Sequence, residues 1–501
     1  MLDNFQYFKM IDKILRLGKD AAIYGLSSIV GRFLNFLLVP FYTNYLLPSE
    51  YGVIANLYAY IAFVLIVYGY GMEQAYMRFV SSLELGDRNE HFSTPFLSLA
   101  VTSLFFSGLI HLFSASVAGW VGIDPAQEHL IAYAAWILFF DTLMVVPYAS
   151  LRMEQKAKTF AALRVLHILL SVVLNIVLIV VVGMKAEGVL LANLIASSAT
   201  FLILLKMTGR QLVPRFSAKL YRELLRFGLP YIPSGLAAIA MQVIDRPILK
   251  ALTDDATVGI YQANYRLGVL MMLVVSMFDY AWRPFFLTHA RDEGAKELFA
   301  RVFTYFSVLM LFVFLVVSFF IEDLVRVQIG GGYFFSPAYW EGVAIVPWIL
   351  LAYIFTGAYT NFVVGVNIEK KTHFLPLVTG AGALVNIGVN ILLIPQYGIM
   401  GAAYATLAAY MVMAAGMYVV SQRFYRVNYE WGKIVRLAIA AGAVFGASTI
   451  WTAEPLSMES ILSKTALCVS FIILVVVLKV VVPGELSSTK SKLQGTSVPP
   501  Q

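Results

Sequence analysis

Two arginines sit where a chain seldom leaves a cation. Arg32 lies about 11 residues, roughly 16 Å, into a long apolar run, and Arg266 about 9 residues, roughly 14 Å, into another. Neither has an acid close by in its own run, since Asp20 and Asp279 are each more than ten residues away. An ionisable side chain at the centre of a hydrocarbon layer costs about 2.5–3.5 kcal/mol on insertion scales, so each one needs a reason. A guanidinium offers fixed charge and a bidentate fork that suits phosphate, and two at matching depth point to a positive cavity prepared for an anion. Asp141, inside a third run, reads three ways: partner to an arginine, proton or sodium carrier, or packing acid bonded to backbone. Glu73, Arg164, Asp279 with Arg283, and Asp245 with Arg246 fall near run ends. Snorkelling makes charges cheap there, so they rank lower as cavity or gate charges. His111 and His167 read as local hydrogen-bonding residues.

Other chemistries are excluded by what the chain lacks. One cysteine, Cys468, permits no disulfide framework and no cysteine metal site within the chain. The six histidines form no HExxH pair, and no GxxxxGK[ST] loop occurs, so an ATP-driven mechanism would need another subunit. No metal or resident cofactor is expected. A net charge of +7 could suggest nucleic acid, but the placement of the charges argues for a membrane instead.

The apolar runs that hold these residues define the architecture. Of 501 residues 60% are hydrophobic and 13% charged, against about 45–50% and 25% in a soluble domain. Fourteen runs are long enough to cross about 30 Å of hydrocarbon: 21–46, 51–76, 93–117, 129–150, 159–183, 186–207, 226–250, 257–281, 301–321, 341–366, 372–394, 398–420, 434–452 and 461–482. Of the 36 lysines and arginines, 28 fall in the leader, the even-numbered loops and the tail, against 4 on the other side. The positive-inside rule therefore puts both termini in the cytoplasm. Residues 1–20 lack a signal peptide, and Phe5, Phe8, Ile11, Ile14 and Leu15 pattern them as an amphipathic cytoplasmic leader. The tail 483–501 reads as disordered. No loop is long enough to fold as a separate domain, which argues against an enzyme with an extramembrane active site.

The runs repeat. Gly52 aligns with Gly259 and Tyr58 with Tyr265 at an offset of 207 residues; Trp136-Ile137-Leu138 aligns with Trp348-Ile349-Leu350 at 212. Thr159 with Thr372 and Gly188 with Gly401 follow at 213, and Asn175 with Asn390 at 215. One six-helix unit thus occurs twice. Six being even, both copies enter the membrane in the same direction, and such parallel repeats hold substrate between them near the midplane. The expected plan is an all-α polytopic membrane protein with an N-lobe over 21–207, a linker at 208–225, a C-lobe over 226–420 and two extra helices within 421–482. Pro40, Pro147, Pro347 and the stretch Arg226 to Gly235 (RFGLPYIPSG) break helices, as suits lobes that rock or bend.

Several segments carry a likeness to a known family: VPFYTNYLLPSEYGV (Val39 to Val53), RFGLPYIPSG, DRPIL (Asp245 to Leu249), VGIYQANYRLG (Val258 to Gly268) and NIGVNILLIPQYGIMGAAYATLAAY (Asn386 to Tyr410). With the 6 + 6 + 2 helix plan, they resemble the Wzx-type polysaccharide transporters of the multidrug/oligosaccharidyl-lipid/polysaccharide exporter superfamily. The resemblance covers most of residues 20–480. It implies two lobes around a cationic cavity that opens alternately to either side, moving an undecaprenyl-diphosphate-linked oligosaccharide between leaflets of a bacterial inner membrane. It implies that Arg32 and Arg266 bind that diphosphate, with coupling to a proton or sodium gradient. Polysaccharide polymerase and glycosyltransferases of the same pathway would be partners, and nucleic acid would not. A small-molecule exporter is the alternative.

Overall fold

The computed structural model describes residues 25, 29–34, 36–83, 86–450 and 454–481. The leader 1–20 and the tail 483–501 lie outside the described residues. Within them the chain is helical, apart from a hairpin of two-residue strands, β1 (Gln328–Ile329) and β2 (Gly332–Tyr333).

Each predicted span meets a helix. The first, α1, is described over 29–34 and 36–45. Then follow α2 (Pro48–Ser82), α3 (Arg88–Leu112), α4 (Pro125–Met153), α5 (Ala157–Val181) and α6 (Ala186–Gln211). The seventh, α7, comes in pieces, Ala218–Gly228, Tyr231–Val243 and Asp245–Leu252, and α8 in two, Asp255–Leu267 and Val269–His289. After them come α9 (Ala295–Arg326), α10 (Pro337–Ile368), α11 (Phe374–Tyr397), α12 (Ile399–Phe424), α13 (Trp431–Ile450) and α14 (Met458–Val477). Twelve of these helices are long and apolar enough to cross a membrane, and the bent start of α7 makes a thirteenth. The bend there is 44°, at the Gly228-Leu229-Pro230 break. Pro230 cannot donate a backbone hydrogen bond, so the ladder stops at that point.

Side chains explain several helix starts. Asp254 accepts from the Thr257 backbone N–H at 2.8 Å ahead of α8, Asp87 from Glu90 at 2.8 Å ahead of α3, and Ser457 from Ser460 at 3.1 Å ahead of α14. Each satisfies a donor that a helix N-terminus otherwise leaves open.

The repeat is visible in atomic detail. Asn175 in α5 donates to the backbone carbonyl of Ser171 at 2.7 Å, and its equivalent Asn390 in α11 donates to that of Asn386 at 2.8 Å, the same step back of four residues. Gly188 and Gly401 let α6 and α12 turn tightly against the helices before them: a Cβ on Gly188 would meet Met184 at 2.9 Å, and one on Gly401 the Leu393 carbonyl at 2.5 Å. Most telling is the crossing of α2 and α8. A Cβ on Gly52 would lie 1.7 Å from the carbonyl oxygen of Asp255, and one on Gly259 lies 1.9 Å from that of Pro48. Residues 48 and 52 are equivalent to 255 and 259 by the 207-residue offset. Each copy therefore offers the same glycine to the same carbonyl of the other, as a self-complementary interface must.

The chain divides into two compact units. The first comprises 1–269, 335–345 and 375–412, and the second 270–334, 346–374 and 413–501. In the first, a core of Met72, Tyr76, Phe92, Leu99, Leu143 and Leu204 ties α2, α3, α4 and α6 together. In the second, Trp282, Phe286, Phe299, Val364 and Tyr425 pack α8, α9 and α10. There α14 is fastened to α9 by Lys464, whose ammonium is 2.5 Å from Asp323, and the other Asp323 oxygen accepts from the Leu456 backbone at 2.7 Å.

Candidate functional site

Among the cavities inside the first unit, two share His167. The larger, about 510 Å³, is bounded by α2, α4, α5 and the start of α7. Glu73, Asp141, Arg164 and His167 line it, with Tyr148, Tyr231 and Ser234 between them. Ser197 donates to Asp141 Oδ1 at 2.7 Å, and His167 Nδ1 is 3.1 Å from the Thr200 hydroxyl. Arg164 spreads over the Tyr148 ring at 4.5 Å, and its field reaches Asp141. Glu73 is ion-paired with Arg152. The larger cavity thus has mixed charge.

The smaller cavity, about 270 Å³, differs in kind. Among the described residues no carboxylate lines it. Arg266 enters from α8, facing Tyr42 of α1, Tyr51 and Tyr58 of α2, Ser171 and Asn175 of α5, Asn193 of α6 and Gln262. Tyr42 donates to Asn175 Oδ1 at 3.0 Å, and Asn193 Nδ2 donates to the Tyr58 hydroxyl at 2.9 Å. Arg266 has no ion-pair partner among the described residues. A partly buried guanidinium facing phenols and amides, without a counter-ion, is a site for an anion rich in acceptors.

Residues 17–289, more than half of the chain, match the family described as polysaccharide biosynthesis protein. The chain belongs to this family. It is 20% identical over 335 residues to a protein of the Lsg locus of Haemophilus influenzae, covering 65% of this chain and 80% of that one. It is 21% identical over 433 residues to an uncharacterised membrane protein of Methanocaldococcus jannaschii, with 79% and 83% covered. In fold it is similar to the lipid II flippase MurJ in an inward closed conformation, with a TM-score of 0.67 at 16% identity over 91% of this chain and 97% of that one. It is also similar to an inward-facing multidrug resistance transporter of the MATE family, with a TM-score of 0.61 at 15% identity over 78% and 94%. The fold of this family member is thus the multi-pass helical fold that these two solved structures share.

The residues singled out by sequence are distributed unevenly. Arg266, Asp141, Glu73, Arg164 and His167 line these two cavities. Arg32 is exposed on α1 and lines neither. Asp279 and Arg283 form an i,i+4 ion pair at 2.8 Å in the second unit, with Arg283 two-thirds exposed. His111 is exposed, its ring 6.1 Å from that of Trp136.

Asp245 and Arg246 require correction. They are not snorkelling charges at a helix end: they are 3% and 5% exposed, at the heart of a polar network. Arg246 Nη1 pairs with Asp245 Oδ1 at 2.5 Å, Nε donates to Gln262 Oε1 at 2.9 Å, and the guanidinium lies 4.3 Å over the Tyr265 ring. Tyr261 donates to the remaining Asp245 oxygen. Burial is tolerated because every charge has an opposite charge or hydrogen bond. Sequence reasoning also passed over Tyr42, Tyr51, Gln262 and Asn193. Their one shared signal is a polar group inside an apolar run.

Proposed function

We propose that this protein is a flippase for lipid-linked oligosaccharides. It would take undecaprenyl-diphosphate-linked repeat units from the cytoplasmic to the outer leaflet of a bacterial inner membrane by alternating access, for cell-surface polysaccharide assembly. The observation that carries this reading is Arg266, a cation that has neither an ion-pair partner nor a carboxylate in its cavity among the described residues, and that faces phenols and amides. Family membership and the fold shared with a lipid flippase support it. The diphosphate would settle on Arg266, the glycan would occupy the cavities on either side of His167, and the polyprenyl tail would remain in lipid. Binding an anion lowers the cost of burying the cation, so substrate favours the occluded state. Arg32 is the second cation in this proposal, meeting the diphosphate from α1. Asp141 would carry the coupling ion, and both termini would lie in the cytoplasm, where polymerase and glycosyltransferases of the pathway would cooperate.

The test is translocation of a fluorescent undecaprenyl-diphosphate oligosaccharide in proteoliposomes. Wild type should move it, Arg266→Ala should lose most of the movement at equal membrane abundance, and Arg32→Ala should lose part. Unchanged transport in both variants would remove the cationic site. One feature favours a second reading: Asp141 gives the larger cavity a carboxylate, which an exporter of cationic drugs would use. Efflux of such a drug, with no lipid movement, would select it.

A further inference from the structure

A cavity of about 380 Å³ opens in the second unit, where α9 and α10 meet α13 and α14, the two helices outside the repeat. Its size falls in the range of roughly 300–1,000 Å³ that small-molecule sites occupy. Five hydroxyls line it: Ser318 from α9, Ser448 and Thr449 from α13, and Ser460 and Ser463 from α14. Three have spent their hydrogens on their own helices, Ser448 on the Phe445 carbonyl at 2.7 Å, Thr449 on that of Gly446 at 2.8 Å and Ser463 on that of Ser460 at 2.9 Å. Their oxygens can still accept. The other two are unsatisfied: the Ser318 and Ser460 hydroxyls are buried without a hydrogen-bond partner among the described residues, and Ser460 is 1% exposed. A buried hydroxyl left unpaired is costly, and two of them, on helices that pack together around one cavity, call for a ligand that can pair with both. The charges at the cavity are balanced, since Lys464 lies 2.5 Å from Asp323 and Glu322 lies 2.6 Å from Arg326. Phe319 and Phe445 add near-parallel rings, 12° apart in plane with centroids at 6.3 Å.

We propose that this cavity binds an uncharged saccharide unit, held by the Ser318 and Ser460 hydroxyls above an aromatic floor of Phe319 and Phe445. The donors and acceptors select the ligand. A sugar hydroxyl both donates and accepts, so it can donate to Ser448, Thr449 or Ser463 and also pair with Ser318 and Ser460; the Lys464 ammonium has two hydrogens beyond the one directed at Asp323. The C–H face of a sugar ring is apolar and packs on aromatic side chains. A phosphate only accepts, so it would leave the accepting oxygens unused and would meet Glu322; a cationic drug would meet Lys464. An apolar tail would leave Ser318 and Ser460 unpaired. The site lies in neither cavity of the first unit and goes beyond the flippase reading. With both termini in the cytoplasm, the α9–α10 and α13–α14 connections face outward, and the saccharide at hand there is a glycan that has crossed. That link to the substrate rests on the flippase reading; the site itself does not.

The experiment uses the full chain in nanodiscs and, as probe, the uncharged repeat-unit oligosaccharide freed by mild acid from the host's lipid diphosphate. Binding is read by isothermal titration and by saturation transfer from the protein to the sugar C–H protons. Wild type should bind the probe; no heat and no transfer would mean that the cavity holds water alone, and would overturn the proposal. Ser318→Ala and Ser460→Ala should each weaken binding about tenfold, yet without ligand they should melt no earlier than wild type, because each removes a hydroxyl that has no partner. Full affinity in both variants, or an earlier melt of the ligand-free proteins, would refute the site. Phe445→Leu should reduce transfer to the ring protons. Thr288→Ala removes an exposed hydroxyl of α8 outside the lining and should change nothing; a loss equal to that of Ser460→Ala would refute the assignment. The proteoliposome assay separates the two readings. Binding through Ser318 and Ser460 without translocation would leave the site standing and remove the flippase reading, and translocation without probe binding would do the reverse. Displacement of the probe by the lipid-linked form would support the site and identify the crossed glycan as its ligand; probe binding that the lipid-linked form does not displace would support a site for saccharide detached from lipid.

Discussion

Replacing Gly52 by alanine should destabilise the protein, although alanine is the better helix former. In the interior of a helix the exchange gains about 1 kcal/mol from backbone propensity. Against this, the new methyl would lie 1.7 Å from the Asp255 carbonyl oxygen, where ordinary contact begins at 3.4 Å. The obstacle is backbone, so no side chain can rotate away, and α2 and α8 must part by more than an ångström. Overpacking of this kind costs about 1–3 kcal/mol, occasionally more, so the net effect is a loss of up to roughly 2 kcal/mol. Gly442, inside α13, has nothing within 4 Å of an added Cβ, and Gly442→Ala should therefore stabilise. The assay is thermal unfolding of both variants in one detergent: the midpoint should fall for Gly52→Ala and rise for Gly442→Ala. Gly259→Ala should resemble Gly52→Ala, and the double variant should lose less than the sum, since the first methyl has already parted the helices. A shift of the same sign at Gly52 and Gly442 would refute the reasoning.

Other consequences follow from the charges. Lys464→Met should cost about 3 kcal/mol by leaving Asp323 buried without its cation, and adding Asp323→Asn should recover much of that loss, as read by thermal unfolding. Burial alone would raise the Glu430 carboxyl, but Lys433, the Thr304 hydroxyl and Arg301 outweigh it and hold it below the ordinary 4.5. A depressed acid stabilises the fold above its unfolded pKa and ceases to as pH falls through the folded value. Glu430→Gln should therefore melt earlier than wild type at neutral pH, and the gap should close in acid below pH 4.5; a constant gap would exclude the linkage. Asp141→Asn should retain diphosphate binding but lose the dependence of transport on an imposed proton or sodium gradient, measured in the proteoliposome assay.

Length and hydropathy were enough to locate the spans, because a helix must be apolar over its crossing whatever it packs against. The repeat was legible for a related reason. Gly52, Gly188 and Asn175 hold positions where only a missing Cβ or a bond to the preceding turn fits, and their equivalents Gly259, Gly401 and Asn390 do the same work. The cavity was harder to see. Arg266 was conspicuous as a charge in an apolar run, but Tyr51, Tyr58 and Asn193 are residues that interfaces and cores use everywhere. Only their convergence from α2 and α6 gives them meaning. Asp245 and Arg246 misled because depth along a helix says nothing about which neighbour covers it, and here Tyr261, Gln262 and Tyr265 of α8 do.

The repeat also shows where the chemistry resides. Carried through both copies, the 207-residue offset sets Leu38 and Val39 against Asp245 and Arg246, and Ile54, Ala55 and Ala59 against Tyr261, Gln262 and Arg266. At these positions the first copy is apolar and the second polar or charged. The reciprocal glycine contacts keep the backbones symmetric, while at these aligned positions both arginines, Arg246 and Arg266, belong to the second copy. Leu38, Val39, Ile54 and Ala55 all line the smaller cavity beside Tyr42, Tyr51 and Tyr58, so the first copy gives Arg266 apolar as well as phenolic neighbours. A second arginine at position 59 would double the cavity charge and the cost of burying it while empty. With Arg266 as the one arginine among the described lining residues, an entering anion can neutralise it without being held too tightly to leave. A carrier needs that balance, because a site that never releases its ligand transports nothing.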